Sequence, residues 1–236
     1  MAGDSIMQSY APEDKPVTGW GEMLHTLARG DAVCCAAHRA DCPFPQEMRY
    51  ELPGLVIDNC AMAGRSSKTF REEGRLDDIA AHICPGDLLV VSFGHNDANR
   101  AKAERYVPAD AFGESLRPFW DAARSHGAVC IFASPVAMRE FDEDSVCHPS
   151  FAAYREAMRA FAAEVGAPFI DLGAATAAAN TAFGAERCKA RYMWVGAKQD
   201  NAHQQNAGAC RTAQAFVQQL LQDTTPALDV LRANFK

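Results

Sequence analysis

Residues 87–97 read DLLVVSFGHND, an apolar run that stops at a glycine and is followed by polar side chains. The unbroken apolar stretch at 88–91 favours a strand that is buried on both faces, because a strand with one solvated face would alternate apolar and polar residues. Gly94 and its polar neighbours are typical of the turn that follows such a strand. The stretch therefore predicts an interior strand of a parallel sheet with polar groups at its carboxyl end.

Similar apolar stretches occur on both sides of this strand, and helical patterns separate them. Further strands are predicted at 55–57, 128–134 and 168–172. Apolar residues at helical spacing predict helices within 20–27, 76–83, 112–123, 151–161 and 216–221. Strands that alternate with amphipathic helices indicate a mostly parallel sheet covered on both faces, so we expect one doubly wound α/β domain. Its predicted extent is 1–222, with 223–236 as a C-terminal tail or short helix.

Composition narrows the possible partners and the compartment. The chain has 236 residues and a net charge of −7, which disfavours nucleic acid because phosphate binding requires a basic surface. No apolar run is long enough to span a bilayer, and the chain as written has no leader, so we expect a cytoplasmic protein without membrane association. Its nine cysteines, an odd number, predict buried reduced thiols rather than a disulfide framework. Nothing in the sequence demands an oligomer, and a monomer is expected.

Several polar residues follow the predicted strands and would meet at one edge of the sheet. They are Ser5 in GDS, Gly64 in AGRSS, Asn96 in GHND, and Asp200 with His203 in DNAH. Ligands of such folds bind at the carboxyl ends of the strands. Serine needs an imidazole to take its proton, the imidazole needs a carboxylate to orient it, and Asp200 is close enough to His203 for that contact. The Ser5 and Gly64 amides and the Asn96 side chain would be donors for an oxyanion.

Four segments together resemble the SGNH or GDSL hydrolases: GDSIM at 3–7, NCAMAGRSS at 59–67, FGHND at 93–97 and DNAH at 200–203. The resemblance runs from residue 3 to about 221, and AGRSSKTF and GHND bring it nearest to the rhamnogalacturonan acetylesterase branch. It implies a flavodoxin-like three-layer α/β/α fold and removal of acetyl groups from acetylated oligo- or polysaccharides, without metal or other cofactor. By motif position, Ser5 is the nucleophile, His203 the base and Asp200 its orienting partner, while Ser5, Gly64 and Asn96 form the oxyanion hole.

Two features depart from the family pattern. Only Met1 and Ala2 precede the GDS turn, where the family has a full strand, so the first strand is predicted to be truncated. Loss of that strand would leave unpaired backbone on both neighbours. If the natural protein starts upstream, an extracellular or periplasmic location becomes an alternative. The second departure is Ala202, which stands where threonine usually precedes the histidine and is not a catalytic position.

Other functions and other contacts stay open at this level. A different short-chain carboxylesterase, a lipase, a thioesterase or a non-catalytic carbohydrate-binding protein would share the fold. An α/β-hydrolase needs a G-x-S-x-G motif, which GRSSK at 64–68 lacks. A thiol mechanism would use Cys60 or Cys147, the latter beside His148. Further candidates for site support or substrate contact are Asp4, Arg65 and His95, and candidate cleft aromatics are Trp20, Tyr106 and Trp194.

Overall fold

A computed structural model describes residues 1–29 and 34–235. Its strands are β1 (Ala2–Gly3), β2 (Cys35–Ala37), β3 (Met48–Leu52), β4 (Leu55–Asn59), β5 (Leu88–Ser92), β6 (Val129–Ala133), β7 (Phe169–Ile170), β8 (Tyr192–Val195) and β9 (Lys198–Gln204). Its α-helices are α1 (Trp20–Met23), α2 (Ser67–Glu72), α3 (Arg75–His82), α4 (Ala109–Ser125), α5 (Ala152–Val165), α6 (Leu172–Phe183), α7 (Ala185–Cys188), α8 (Asn206–Gln222) and α9 (Asp229–Asn234).

The central sheet is parallel and has the strand order β1-β5-β6-β7. Successive residues of its strands enter two different apolar cores. Val90 and Ile131 pack toward α8, whereas Val91 and Phe132 pack toward α4 and α5. Because both faces of each inner strand are buried, these strands consist of unbroken apolar residues. The three-layer, doubly wound fold predicted from the sequence is confirmed.

Strand β1 is only two residues long, yet it is bonded on both sides. It pairs with β5 through Ala2–Val91 and Gly3–Ser92. On its other side the Met62 N–H donates to the Gly3 carbonyl at 3.0 Å. The unpaired backbone expected on both neighbours of a short first strand is therefore not found at these positions, and the serine turn that follows β1 is anchored to the sheet.

The strand at 55–57 continues along β1, where Met1 N donates to the Asp58 carbonyl at 2.6 Å and the Cys60 N–H donates to the Met1 carbonyl at 3.0 Å, but it also belongs to an antiparallel group that the sequence does not predict. β4 pairs antiparallel with β3, which pairs antiparallel with β2. Val56 in the middle of β4 is 55% exposed, so the apolar run that suggested burial is only half covered. A second antiparallel pair, β8 and β9, precedes α8 and carries part of the site.

The ends of the described chain pack against one another. Predicted helix 20–27 is a single turn of α-helix, α1, that continues as a 3₁₀ turn over Leu24–Leu27. Within the predicted tail, α9 forms a short helix, and Phe235 is buried and bridges to Ala28. Lys236 lies outside the described residues.

Candidate active site

Ser5 lies on a tight turn directly after β1. The Met7 N–H donates to the Asp4 carbonyl at 3.1 Å, which closes the turn around Ser5. Close packing explains the glycine before it, since a Cβ on Gly3 would lie 2.8 Å from Met7 Sδ and 2.9 Å from the Ser92 carbonyl oxygen. The turn therefore holds the Ser5 hydroxyl at the carboxyl edge of the sheet in a defined position.

Ser5, His203 and Asp200 form one continuous hydrogen-bonded line. Ser5 Oγ lies 3.0 Å from His203 Nε2, and His203 Nδ1 lies 2.8 Å from Asp200 Oδ2. Since the carboxylate can only accept, Nδ1 carries the proton and Nε2 is free to accept one from the serine. The arrangement has the connectivity that a serine nucleophile, a general base and an orienting carboxylate require.

Asp200 and His203 lie on β9, the strand that directly precedes α8. The register between β8 and β9 shifts between Tyr192 and Met193, so the residues around Asn201 bulge out of the ladder. The Trp194 indole N–H donates to Asn201 Oδ1 at 2.8 Å and holds the bulge. A bulge re-aims side chains relative to a regular strand, and here it carries His203 to Ser5.

The second oxygen of Asp200 stabilises the same bulge. The N–H groups of Ala202 and His203 donate to Asp200 Oδ1 at 2.8 and 3.0 Å. Burial raises the pKa of Asp200, but these hydrogen bonds and the neighbouring imidazole together lower it by more than burial raises it. The pKa of Asp200 is therefore below its usual value. Asp200 is therefore a carboxylate throughout the neutral pH range.

Gly64 and Asn96 border the same cleft as Ser5. Gly64 has φ of +78°, a conformation that other residues adopt only with strain. Asn96 Nδ2 donates to the Arg65 carbonyl at 2.9 Å. A primary amide has two N–H donors, so this bond fixes the side chain and leaves the second donor for a ligand.

The cleft has a volume of about 390 Å³ and mixed walls. Its polar lining, besides Ser5, Gly64, Asn96 and His203, consists of His95, Asn99 and Arg105. Its apolar lining consists of Ile6, Ala63, Met138, Phe151 and Ala202. The sequence analysis did not single out Asn99, Arg105, Met138 or Phe151. Asn99, Arg105 and Met138 come from loops without periodic patterning, whereas Phe151 begins the predicted helix 151–161 and directly precedes α5 with a positive φ of 56°.

His95 is a buried neutral side chain of the cleft wall. Burial lowers its pKa to about 4. Its Nε2 lies 3.0 Å from the Val136 carbonyl oxygen, which can only accept, so Nε2 carries the ring proton. The bond to Val136 fixes the His95 ring in the cleft wall, and the ring packs edge-on against Phe151 at 4.7 Å.

Asp4 and Asp97 form a buried acidic pair behind the serine turn. Burial raises the pKa of Asp4 to about 7, and the charge of Asp97 adds to the shift. Burial also raises the pKa of Asp97 to about 6, although Ser67 and Gly94 donate hydrogen bonds that lower it. The Ile6 N–H donates to Asp4 Oδ1 at 2.9 Å, so Asp4 supports the turn from beneath.

This pair makes the stability of the protein depend on pH. The folded pKa of Asp4, about 7, lies above its ordinary value of 3.8, so the folded state retains a proton that the unfolded state releases, and stability falls as pH rises through this window. Asp4→Asn keeps the acceptor for Ile6 and removes the charge. From about pH 5 to about pH 8, the unfolding free energy of the variant relative to wild type should increase by roughly 2 kcal/mol.

Urea denaturation at the two pH values measures this difference, and Asp121→Asn, which removes an exposed aspartate on α4, controls for net charge. A relative stability of Asp4→Asn that is the same at both pH values would show that Asp4 is ionised in the folded state over the whole range.

Several sequence candidates lie elsewhere in the structure. Arg65, a candidate for site support or substrate contact, accepts from Asn96 through its carbonyl, but its side chain is outside the cleft lining and its Nε donates to both carboxylate oxygens of Glu73 at 2.8 and 3.0 Å. Trp20 is fully buried in the core. Tyr106 lies under Arg100, and Trp194 packs between Arg139 and Lys189; neither tyrosine nor tryptophan lines the cleft.

The residues of the rival mechanisms have other roles. Cys147 is buried and its thiol contacts the Met138 carbonyl, whereas His148 is exposed and bonds to Asp142 at 2.7 Å. Burial raises the pKa of the Cys60 thiol far above its usual range. Ser66 in the GRSSK segment caps α2 by accepting from the Thr69 N–H.

Among residues 1–29 and 34–235, one group has metal-ligand spacing: Cys42, Glu47 and Asp78, whose ligand atoms lie within 4.8 Å of one another. Arg39 lies among them, with Nη2 2.5 Å from Asp78 Oδ2 and Nε 3.6 Å from Glu47 Oε1. A guanidinium thus already neutralises these carboxylates. None of the four residues lines the cleft.

The protein has three layers around a parallel central sheet, and at the carboxyl edge of that sheet a serine is hydrogen-bonded through a histidine to an aspartate. This combination defines a serine hydrolase. The chain belongs to the GDSL-like lipase/acylhydrolase family, which it matches over residues 1–208, and it is an ester hydrolase. The resemblance inferred from the four sequence segments is thereby confirmed. No helix in the described ranges is long and apolar enough to cross a membrane.

The chain is similar to a named acetylesterase and to solved structures of the same fold. The chain is 32% identical over 240 residues to rhamnogalacturonan acetylesterase RhgT of Bacillus subtilis, covering 98% of this chain and 92% of the relative. The crystal structure of the YxiM protein from Bacillus subtilis matches with a TM-score of 0.76 at 26% identity, over 96% of this chain and 56% of that one. Axe2, an acetylxylan esterase from Geobacillus stearothermophilus, has the same fold, with a TM-score of 0.58 at 19% identity over 92% of this chain and 90% of Axe2.

Proposed function

We propose that the protein removes acetyl groups from an acetylated carbohydrate of the rhamnogalacturonan type through an acetyl-serine intermediate. The observation that carries the proposal is the bonded line from Ser5 through His203 to Asp200 in a cleft with mixed polar and apolar walls. The similarity to RhgT over nearly the whole of both chains supports the choice of substrate.

The reaction begins with attack of Ser5 Oγ on the acetyl carbonyl while His203 Nε2 takes the hydroxyl proton. Asp200 remains ionised and stabilises the imidazolium that forms. The oxyanion is bound by the Ser5 and Gly64 amides and by the free N–H of Asn96. When the intermediate collapses, His203 returns the proton to the departing sugar hydroxyl and the acetyl group stays on Ser5. His203 then activates a water that releases acetate by the same steps in reverse order.

The walls of the cleft favour a short acyl group on a polar alcohol. Its volume of about 390 Å³ is at the small end of the range for ligand sites. Its larger apolar side chains, Ile6, Met138 and Phe151, suffice to contact a methyl group, whereas a lipase needs a long apolar groove. His95, Asn99 and Arg105 offer hydrogen bonds that suit sugar hydroxyls.

Substrate comparison tests this proposal. We expect the enzyme to release acetate from acetylated rhamnogalacturonan and to hydrolyse p-nitrophenyl acetate much faster than p-nitrophenyl octanoate, because the cleft holds few apolar contacts for a long chain. A preference for octanoate would identify a lipase or thioesterase. Binding of the glycan without acetate release would identify a carbohydrate-binding protein.

The cysteines bear on the compartment in which the enzyme works. All nine cysteines are unpaired, which supports a proposal that the enzyme works in a reducing compartment such as the cytoplasm. The prediction of a monomer stays a prediction.

A further inference from the structure

Arg105 is a cation in the cleft wall that has no acidic partner. Its Nη1 donates to the Gly64 carbonyl at 3.1 Å, and its Nε is enclosed without any acceptor. Within the described parts of the chain no carboxylate oxygen lies within 4 Å of its guanidinium, whereas Arg65 Nε lies 2.8 Å from Glu73 Oε1. The contrast separates the two arginines near Gly64, since Arg65 is neutralised and Arg105 is available.

The loop that carries Arg105 is anchored to the site. The Val107 N–H donates to the Asp97 carbonyl at 3.0 Å, and the Tyr154 hydroxyl donates to the Val107 carbonyl at 2.7 Å. The bond from Arg105 to Gly64 then fixes the guanidinium itself beside the oxyanion donors. A side chain held at both ends is preorganised for a ligand and loses little entropy on binding.

Arg105 influences the titration of one acidic group, Asp4. The Asp4 side chain nevertheless does not neutralise Arg105. The positive charge of Arg105 lowers the pKa of Asp4 only slightly against the effect of burial, and the result is still about 7. Much of Asp4 is therefore protonated at neutral pH. The charge of Arg105 stays available to the cleft.

The surroundings of Arg105 add to this positive potential. Arg100 and Lys102 lie on the same loop, and within the described ranges neither has a carboxylate oxygen within 4 Å. Residues 99–106 contain three basic side chains and one acidic one, Glu104, so the loop has a net positive charge although the whole chain carries a net charge of −7. A local field of this sign at a cleft attracts anionic ligands and repels cations.

We propose that Arg105 is the specificity-determining residue of the cleft and that it binds the carboxylate of a uronic acid unit in the acetylated glycan. The inference rests on the proposed function. A guanidinium presents a planar fork of donors that matches a carboxylate better than it matches a sugar hydroxyl. Because Arg105 and Ser5 line one small cleft, the carboxylate belongs to the acetylated sugar or to the unit next to it.

Two probes that differ only in this charge test the inference. They are the methyl glycoside of mono-O-acetyl-galacturonic acid and the same compound as its uncharged methyl ester, with acetate release as the readout. A charge-assisted contact predicts that wild type prefers the acid by about tenfold in kcat/KM, mainly through KM. In Arg105→Gln the preference should fall to about one, and Arg105→Lys should restore part of it.

Arg124→Gln is the control for net charge, because it removes an exposed positive charge on α4 outside the cleft lining and should keep the preference. A wild-type ratio near one overturns the inference whether or not the variants fold. An equal loss of kcat on both probes in Arg105→Gln, with the ratio unchanged, also overturns it, because Arg105 would then act only by holding the Gly64 carbonyl.

Failure of the proposed function gives a different result. In that case wild type hydrolyses p-nitrophenyl acetate but releases acetate from neither sugar, and the inference about Arg105 falls with it. If both sugars are deacetylated at the same rate, the carbohydrate esterase remains and only the role of Arg105 is lost.

Discussion

Ser5→Ala is expected to lower kcat for acetyl ester hydrolysis by roughly 10⁴–10⁶-fold, because no other group in the cleft can form the acyl intermediate. The substitution removes one oxygen from a turn that is held by the Asp4 carbonyl and by the packing of Gly3, so the fold should be retained. Single-turnover and steady-state hydrolysis of p-nitrophenyl acetate measure the loss, and circular dichroism checks the fold.

Ser9→Ala provides the matched control for this loss. Ser9 is buried to the same degree as Ser5, at 6% and 7% exposure, and lies in the same segment, but its hydroxyl bonds to Tyr50 outside the cleft. The control variant should retain activity within a few-fold of wild type. If Ser5→Ala kept more than a tenth of wild-type activity, Ser5 would not be the nucleophile.

Asp200→Asn is expected to lower kcat about 10⁴-fold while leaving the protein folded. Asparagine keeps the oxygen that accepts from the N–H groups of Ala202 and His203, so the bulge in β9 survives. In asparagine an NH₂ group replaces the oxygen that accepts from His203 Nδ1. This NH₂ group can only donate a hydrogen bond. The ring is then held with Nδ1 unprotonated and the proton on Nε2, where it cannot take the proton of Ser5.

The surface pair Asp142 and His148 supplies the control, since it has the same kind of hydrogen bond, 2.7 Å long, outside the cleft lining. Asp142→Asn should leave kcat unchanged. A loss of less than tenfold in Asp200→Asn would mean that the orientation of His203 depends on the backbone of the bulge and not on the carboxylate.

The sequence predicts the parallel layer well and the antiparallel parts poorly, for a physical reason. Strands β5 and β6 are buried on both faces, so their residues are continuously apolar and easy to recognise. β3 reads MRYEL and β9 reads KQDNAHQ, because each has a solvated face and charged residues. Neither reads as a strand until its partner is known.

The candidate site shows the same division. Ser5, Gly64, Asn96, Asp200 and His203 stand out because their chemistry requires particular residue types in short motifs. Arg65 was one of the candidates for site support or substrate contact, and the sequence does not show which of these roles its side chain has. Its pairing with Glu73, across the length of α2, has no local signal. Arg105 was missed because its place in the cleft depends on how a loop folds back onto Gly64, which is 41 residues away in sequence.

The hydrogen bond between Ser5 and His203 joins positions 198 residues apart, and this distance along the chain has a consequence for biogenesis. In a ribosome-bound nascent chain the nucleophile emerges long before the base, which is absent until the β9 hairpin has been made. An incomplete chain without this hairpin therefore lacks the group that activates Ser5. Closing so large a loop is entropically unfavourable, so the contact between Ser5 and His203 forms late in folding. Hydrolysis of a chromogenic ester during refolding therefore reports formation of the native topology and not only compaction of the chain.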